Sequence, residues 1–217
     1  MKSYVQSPET TKQELMEMVP VNSCTGQLTA HFELYKRIYH LEGNIVNCGA
    51  FSAEHFISFA MLRSIFECVV TKKLITFEKH HKSLYFDHTQ LPNGSLFYKT
   101  EMDSFDAGVV QLSLLQQGIS VCNEFVQGHV SEAIPEYLIE NPELKITFLT
   151  INLDDYEGTM TALQFFYPRL VAGGILVFDN FHKNEEDYKA ICDYFIYEDV
   201  WINGYGENGL PHFIVKG

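Results

Sequence analysis

The stretch from Lys145 to Phe181 constrains the fold more than any other part of the chain. It opens with an apolar, β-branched run, residues 146–151, which is typical of a strand buried on both faces. Apolar residues at helical spacing follow, and a glycine pair is expected to end that helix before a second buried strand over 175–178. The helix positions are Met160, Leu163, Phe166 and Leu170, and the glycines are Gly173 and Gly174. Strand, helix and strand together predict a βαβ unit with parallel strands.

A polar cluster follows each of these two predicted strands. The clusters are Asn152, Asp154, Asp155, Tyr156 and Glu157 after the first, and Asp179 and Asn180 after the second. In open α/β sheets, ligands bind just beyond the carboxyl ends of the strands. Both clusters are therefore expected on one rim, where a polar ligand or a hard cation could bind.

Composition limits the class of protein. With 217 residues, 46% of them hydrophobic, the chain can build one core, and we expect one domain with a helical segment over 1–43 and an α/β core over 44–217. A formal charge of −13 argues against a nucleic-acid partner and against a membrane surface. No apolar run approaches the roughly 20 residues that span a bilayer.

The N-terminus lacks the apolar segment of a signal peptide, which predicts a cytoplasmic protein. The whole chain contains five cysteines, which are scattered and show no CxxC spacing. We therefore expect free and mostly buried thiols in a reducing compartment.

Further elements follow from periodicity and from turn residues. Helices are predicted near 27–40, 54–70, 106–118, 131–140 and 185–195, and strands near 44–48, 73–78, 120–126, 200–201 and 213–215, the last two antiparallel at the sheet edge. The acidic run over 185–187 is interpreted as a solvated helix start.

Gly49 and Glu78 are the candidate ligand-binding residues outside the opening stretch. Gly49 lies between a strand and a helix, the layout that offers backbone N–H groups to a nucleotide-like ligand, although it could serve the turn alone. Glu78 ends the second strand, where an acid can accept both ribose hydroxyls, although it could equally be a solvated surface residue.

With these segments placed, the chain resembles class I S-adenosylmethionine-dependent methyltransferases and, more narrowly, the macrocin O-methyltransferase (TylF/MycF) family of sugar methyltransferases. Residues 43–49 are similar to the family's GxIVECG, residues 73–78 to KIIGFD and residues 134–142 to IPxYLxENP. Tyr156-Glu157, the run 167–170 and the glycine pair are similar to YExT…LYPRLxxGG. The resemblance runs from about Phe32 to Phe181.

The resemblance implies a Rossmann-like, seven-stranded, mostly parallel sheet with helices on both faces and an antiparallel last strand. It also implies S-adenosylmethionine as cofactor, a sugar or nucleotide-sugar acceptor and a magnesium ion. By position, the cofactor residues would be Asn47, Gly49, Ala50, Phe51, Glu78, Gly128, His129 and Asn152, and the metal ligands would be Asn152, Asp154, Asp179 and Asn180.

Several departures from the family pattern fall at these positions. Asn47 replaces an acid, Ala53 replaces a glycine, Glu78 replaces an aspartate, and Asn152 and Asn180 each replace an acid. The tryptophan-containing WPGE segment is absent. The departures indicate altered cofactor use or lost catalysis.

Two classes of function follow. The first is an O-methyltransferase acting on a sugar hydroxyl, with His182 as the candidate general base and Asp154 as its rival, His182 being otherwise a surface loop histidine. The second is a non-catalytic binding module or partner subunit that kept the fold, and another reaction on the same scaffold also stays open. The N-terminal helices would either cover the active site or build a homodimer.

Overall fold

A computed structural model describes residues 23–49, 53–67, 71–78, 122–179, 181, 185–204 and 211–217. Within them the chain alternates between helices and strands. The helices are α1 (Ser23–Ile38), α2 (Ala53–Phe66), α3 (Val130–Glu140), α4 (Tyr156–Phe166) and α5 (Glu185–Tyr194), with a 3₁₀ turn at Tyr167–Arg169. The strands are β1 (Asn44–Gly49), β2 (Leu74–Glu78), β3 (Asn123–Gln127), β4 (Ile146–Asn152), β5 (Leu170–Phe178), β6 (Asn203–Gly204) and β7 (His212–Val215).

All seven strands belong to one sheet, in the order β3-β2-β1-β4-β5-β7-β6. Strands β1 to β5 pair in parallel, and β7 pairs antiparallel with both β5 and β6. The predicted fold class is therefore confirmed. In the described ranges no helix is both long and apolar enough to cross a membrane.

Helices cover both faces of the sheet. On one face α1 and α2 pack over Ile45, Phe148 and Val177. On the other face α3, α4 and α5 pack over Val46 and Leu149. The central strands β1 and β4 are buried on both sides, because helices on each face of a parallel sheet cover it from solvent.

One boundary in the central unit was predicted wrongly. The helix ends at Phe166, four residues before Leu170, and Pro168 follows in the 3₁₀ turn. Proline has no backbone N–H and clashes with the preceding turn, so the α-helix stops there. Strand β5 begins at Leu170 and contains the glycine pair, which was expected to separate helix from strand. The pairing with β4 shifts between Ile146 and Phe148 to accommodate the extra residues.

One burial prediction was also wrong. Asp187, expected on a solvated helix start, is only 5% exposed. Of the cysteines whose side chains are described, Cys48 is buried but Cys122 and Cys192 are exposed, and all three are free. Most other predicted elements recur with shifted ends, but the strand expected near 200–201 is found at Asn203–Gly204 instead. The predicted helix over 106–118 lies outside the described residues.

Candidate active site

The carboxyl ends of β1 and β4 meet at the centre of the sheet. Strand β1 pairs with β2 on one side and with β4 on the other, so the strand order reverses at this point. In open α/β sheets, ligands bind beyond the strand ends at such a reversal. Gly49 lies opposite Asn152 with a φ of +117°. A Cβ atom at Gly49 would lie 1.8 Å from the carbonyl oxygen of Asn152. The backbone of β4 thus requires a glycine here, whether or not a ligand does.

Asn47 belongs to a buried polar row that crosses three strands. It pairs in register with Thr76 on β2 and with Thr150 on β4. The Thr150 hydroxyl donates to Asn47 Oδ1, whereas the buried Asn47 Nδ2 has no hydrogen-bond partner. A buried donor without a partner is costly. Asn47 Nδ2 therefore offers a hydrogen bond to an acceptor atom of a ligand or of a water molecule.

Asn152 and Asp179 leave the sheet side by side. The residues before them, Ile151 on β4 and Phe178 on β5, are register partners. Asn152 is half-buried, whereas Asp179 is only 6% exposed. Asn152 and Asp179, one residue from each polar cluster of the central unit, therefore lie on one rim.

Asp179 is bound by a residue that the sequence analysis missed. His31 of α1 places Nε2 at 2.9 Å from Asp179 Oδ1, and both side chains are buried. The imidazole stacks on Phe59 of α2, with ring centroids 5.2 Å apart, and meets the edge of Phe148 at 6.3 Å. These rings fix the position of the imidazole. The contact between His31 and Asp179 therefore connects α1 directly to the rim of the candidate site.

The loop after β4 carries Asp154 in an unusual conformation. Asp154 is exposed and has a φ of +55°, the one positive φ among non-glycine residues in the described ranges. Asp155 follows as the N-cap of α4, and its carboxylate accepts from Gly158 N–H at 3.0 Å. The cap ends the loop, and Asp154 is presented to solvent at the rim.

Asp187 of α5 is the second residue that was missed. Its carboxylate accepts from the backbone N–H groups of Asp154 at 3.2 Å and Asp155 at 3.4 Å, and from Thr159 Oγ1 at 2.5 Å. Burial raises the pKa of Asp187 above its ordinary value, and these donors oppose that shift.

Gly128 and His129 lie at the carboxyl end of β3. Gly128 has a φ of +138°, and His129 is the N-cap residue of α3, with Nδ1 at 2.6 Å from Ser131 Oγ. Strand β3 is three strand positions from β4, a separation of about 14 Å at the usual strand spacing. Of the predicted cofactor residues, Gly49, Asn152, Gly128 and His129 thus lie along one edge of the sheet, at a span that suits an extended molecule.

Other predicted site residues lie outside the described residues. These are Ala50, Phe51, Asn180 and His182, together with the side chains of Ala53 and Glu78. Glu78 itself ends β2 and pairs with Gln127, so its backbone lies on the predicted rim.

No group of three or more His, Cys, Asp or Glu side chains suited to a metal ion is found in the part of the chain that the structure describes. Of the predicted ligands, Asp179 has one carboxylate oxygen bound by His31. Since Asn180 lies outside the described residues, the predicted magnesium site stays a prediction.

Comparisons with known proteins were made for both sequence and fold. Residues 107–200 match the family model for macrocin-O-methyltransferase (TylF), and this segment contains Gly128, Asp154, Asp179 and Asp187. No curated protein sequence matches the chain significantly.

Solved structures share the whole fold. The apo structure of CalS11, a TDP-rhamnose 3'-O-methyltransferase of calicheamicin biosynthesis, is 20% identical with a TM-score of 0.68, covering 99% of this chain and 97% of that one. The O-methyltransferase NovP is 12% identical with a TM-score of 0.67, covering 88% and 80%. The methyltransferase PaMTH1 of Podospora anserina, in its SAH-bound form, is 9% identical with a TM-score of 0.52, covering all of both chains.

At these identities the structures bear on the fold, and the family model bears on ancestry. The resemblance of the sequence motifs, the match over residues 107–200 and the order of the strands agree. On these grounds the chain is similar to the macrocin-O-methyltransferase (TylF) family over residues 107–200, and it has the fold of the solved methyltransferases.

Proposed function

We propose that the protein transfers the methyl group of S-adenosylmethionine to a hydroxyl group of a sugar. The family match carries this proposal, because residues 107–200 include β4, β5 and the loops that form the rim. The carboxylates of Asp154 and Asp179 lie within that matched segment.

The cofactor is proposed to lie along the carboxyl edge from β3 to β4. The span of about 14 Å between these strands suits an extended ligand. The buried Asn47 Nδ2, which has no partner, supports a hydrogen bond to a cofactor oxygen atom. Gly128 and His129 would then lie at the far end, beside the adenine.

Methyl transfer breaks the carbon–sulfur bond of the sulfonium and forms a carbon–oxygen bond to the acceptor. The acceptor hydroxyl loses its proton in this step, so a general base within hydrogen-bond reach accelerates the reaction. Asp154 is exposed at the rim and is our proposed base. The rest of the site must hold the hydroxyl oxygen in line with the methyl carbon.

A sugar is the proposed acceptor class. CalS11 is described as a TDP-rhamnose 3'-O-methyltransferase, and NovP is described as an O-methyltransferase. Nucleotide-linked deoxysugars are therefore the first acceptors to try.

Magnesium assistance stays a prediction of the sequence resemblance. When bound, a divalent ion lowers the pKa of a coordinated hydroxyl group. The described residues do not provide a set of ligands for it, so the proposed proton transfer relies on Asp154 alone.

The proposal is tested by incubating the protein with methyl-labelled S-adenosylmethionine and a panel of nucleotide-linked deoxysugars, with and without a chelator. We expect label in at least one sugar, and we expect Asp154→Asn to lower the turnover about 100-fold. Asp199→Asn, at an exposed site away from the rim, is the matched control and should leave turnover unchanged. Failure of every acceptor together with absent cofactor binding would favour a non-catalytic binding module.

A further inference from the structure

The backbone of Asp154 is the starting point. Its φ of +55° is in the left-handed region, which L-residues avoid because the side chain crowds the backbone. Aspartate tolerates this conformation better than most residues but does not prefer it. Something in the surrounding structure must hold it, and such outliers concentrate at functional sites.

The carboxylate of Asp187 stabilises this conformation of Asp154. Oδ2 accepts from Asp154 N–H at 3.2 Å and Oδ1 accepts from Asp155 N–H at 3.4 Å. Two successive backbone N–H groups that converge on one anion form a nest, a geometry that uses a left-handed residue. Here the anion is a side chain of the protein itself, supplied from α5.

Helix capping does not account for this arrangement. The N-cap of α4 is Asp155, whose own carboxylate accepts from Gly158 N–H. The acidic start of α5 already includes the exposed Glu185 and Glu186, which favour that helix end. Asp187 alone among the three is buried, at 5% exposure, where a carboxylate loses hydration.

We propose that Asp187 is a positioning residue that holds Asp154 in its left-handed conformation and so aims its carboxylate at the acceptor. This inference rests on the proposed function, in which Asp154 takes the acceptor proton. It makes the position of α5 part of the active-site geometry, although α5 contributes no group that touches the substrate.

Asp187→Asn is the main variant, and Thr159→Val is its matched control. An asparagine cannot accept from both backbone N–H groups and from the Thr159 hydroxyl at once, because one of its two polar atoms is a donor. Thr159→Val removes a donor from the same carboxylate but leaves the contacts to Asp154 and Asp155 in place.

With a sugar acceptor identified by the labelling assay, we expect Asp187→Asn to lower kcat about tenfold or more, since small misplacements of a reacting group are costly. The KM for S-adenosylmethionine and the affinity for S-adenosylhomocysteine should change by less than about twofold, and Thr159→Val should retain kcat within about twofold. An equal loss of kcat in both variants, or an unchanged kcat in Asp187→Asn, overturns the inference.

An unfolding measurement, which needs no acceptor, tests whether Asp187 stabilises the left-handed conformation of Asp154. Glycine favours the left-handed region, so Asp154→Gly should raise the unfolding midpoint of the otherwise wild-type protein. In the Asp187→Asn background, Asp154 is no longer held in the left-handed conformation. There Asp154→Gly should raise the unfolding midpoint by less than half of its effect in the otherwise wild-type protein. An equal gain in both backgrounds overturns the inference, whereas absent binding of S-adenosylhomocysteine would overturn the proposed function and leave this result standing.

Discussion

Buried charged side chains lie at both edges of the sheet, and they bind different kinds of partner. At the amino edge, the fully buried Arg63 donates through Nη1 to the carbonyl oxygens of Lys72 and Cys122, at 3.1 and 2.8 Å. Lys72 donates in turn to the carbonyl of Leu41 at 2.5 Å. These cations fasten the starts of β2 and β3, where no predicted site residue lies.

At the carboxyl edge the buried charges are carboxylates, and they engage the candidate site. Asp179 binds His31 of α1, and Asp187 binds the loop that carries Asp154. A buried ion pair is weak evidence of stability, because two apolar residues of similar shape are often as good, whereas removal of one partner alone is costly. The comparison indicates that the amino edge uses buried charges for the fold and the carboxyl edge uses them for the site.

Glycine substitutions at the two ends of β1 test the largest expected change in the free energy of unfolding. At the carboxyl end, Gly49→Ala would place Cβ 1.8 Å from the Asn152 carbonyl oxygen, and we expect a loss of about 4 kcal/mol or more in the free energy of unfolding. At the amino end, Gly43→Ala meets Lys145 O at 3.0 Å, so a loss of about 1–2 kcal/mol is expected. Urea unfolding of both variants measures the difference, and equal losses would contradict the distinct packing of the two ends.

Arg63→Met tests the amino edge. The variant leaves the carbonyls of Lys72 and Cys122 without their charged donor, and we expect a loss of about 3 kcal/mol in the free energy of unfolding. Binding of S-adenosylhomocysteine to the folded protein should be unchanged. Lys36→Met, on an exposed position of α1, is the control and should shift stability by less than about 0.5 kcal/mol. A selective loss of ligand affinity in Arg63→Met would break the contrast between the edges.

His31→Phe tests the carboxyl edge and is expected to lower stability less than Gly49→Ala or Arg63→Met does. Phenylalanine can keep the packing on Phe59 and Phe148 but removes the bond to Asp179, which costs about 2 kcal/mol. Turnover should fall more than stability alone explains. Asp179→Asn in the His31→Phe background should restore part of the stability, because it removes a buried charge that has lost the bond to the imidazole. His40→Phe, an exposed site on the turn after α1, is the control, and a wild-type turnover in His31→Phe would remove His31 from the site.

The order of helices and strands could be predicted from the sequence, because apolar periodicity and turn residues are local features of the chain. The contacts of His31 and Asp187 did not, since their partners lie 148 and about 30 residues away in the chain. A local signal was present, however. His31 precedes Leu34, Tyr35 and Ile38 at helical spacing, so it lies on the buried face of α1.

Asp187 has the same relation to Ala190 and Ile191 on α5. A titratable residue at an apolar position of an amphipathic helix therefore indicates a buried polar contact. Asp187 was predicted to be solvated because it belongs to an acidic run, and its position on the apolar face of the helix was not considered. The boundary of β5 could not be placed, because Gly173 and Gly174 fit a helix end as well as a bulged strand.

Calorimetric titration with S-adenosylhomocysteine tests the central claim most directly, because it asks whether the carboxyl edge binds the cofactor at all. We expect micromolar binding to the wild type, weakened about tenfold or more in Asn47→Leu, which removes the buried Nδ2 donor. Lys36→Met should bind as the wild type does. No heat with the folded wild type, or equal affinity in Asn47→Leu, would contradict the placement of the cofactor at this edge.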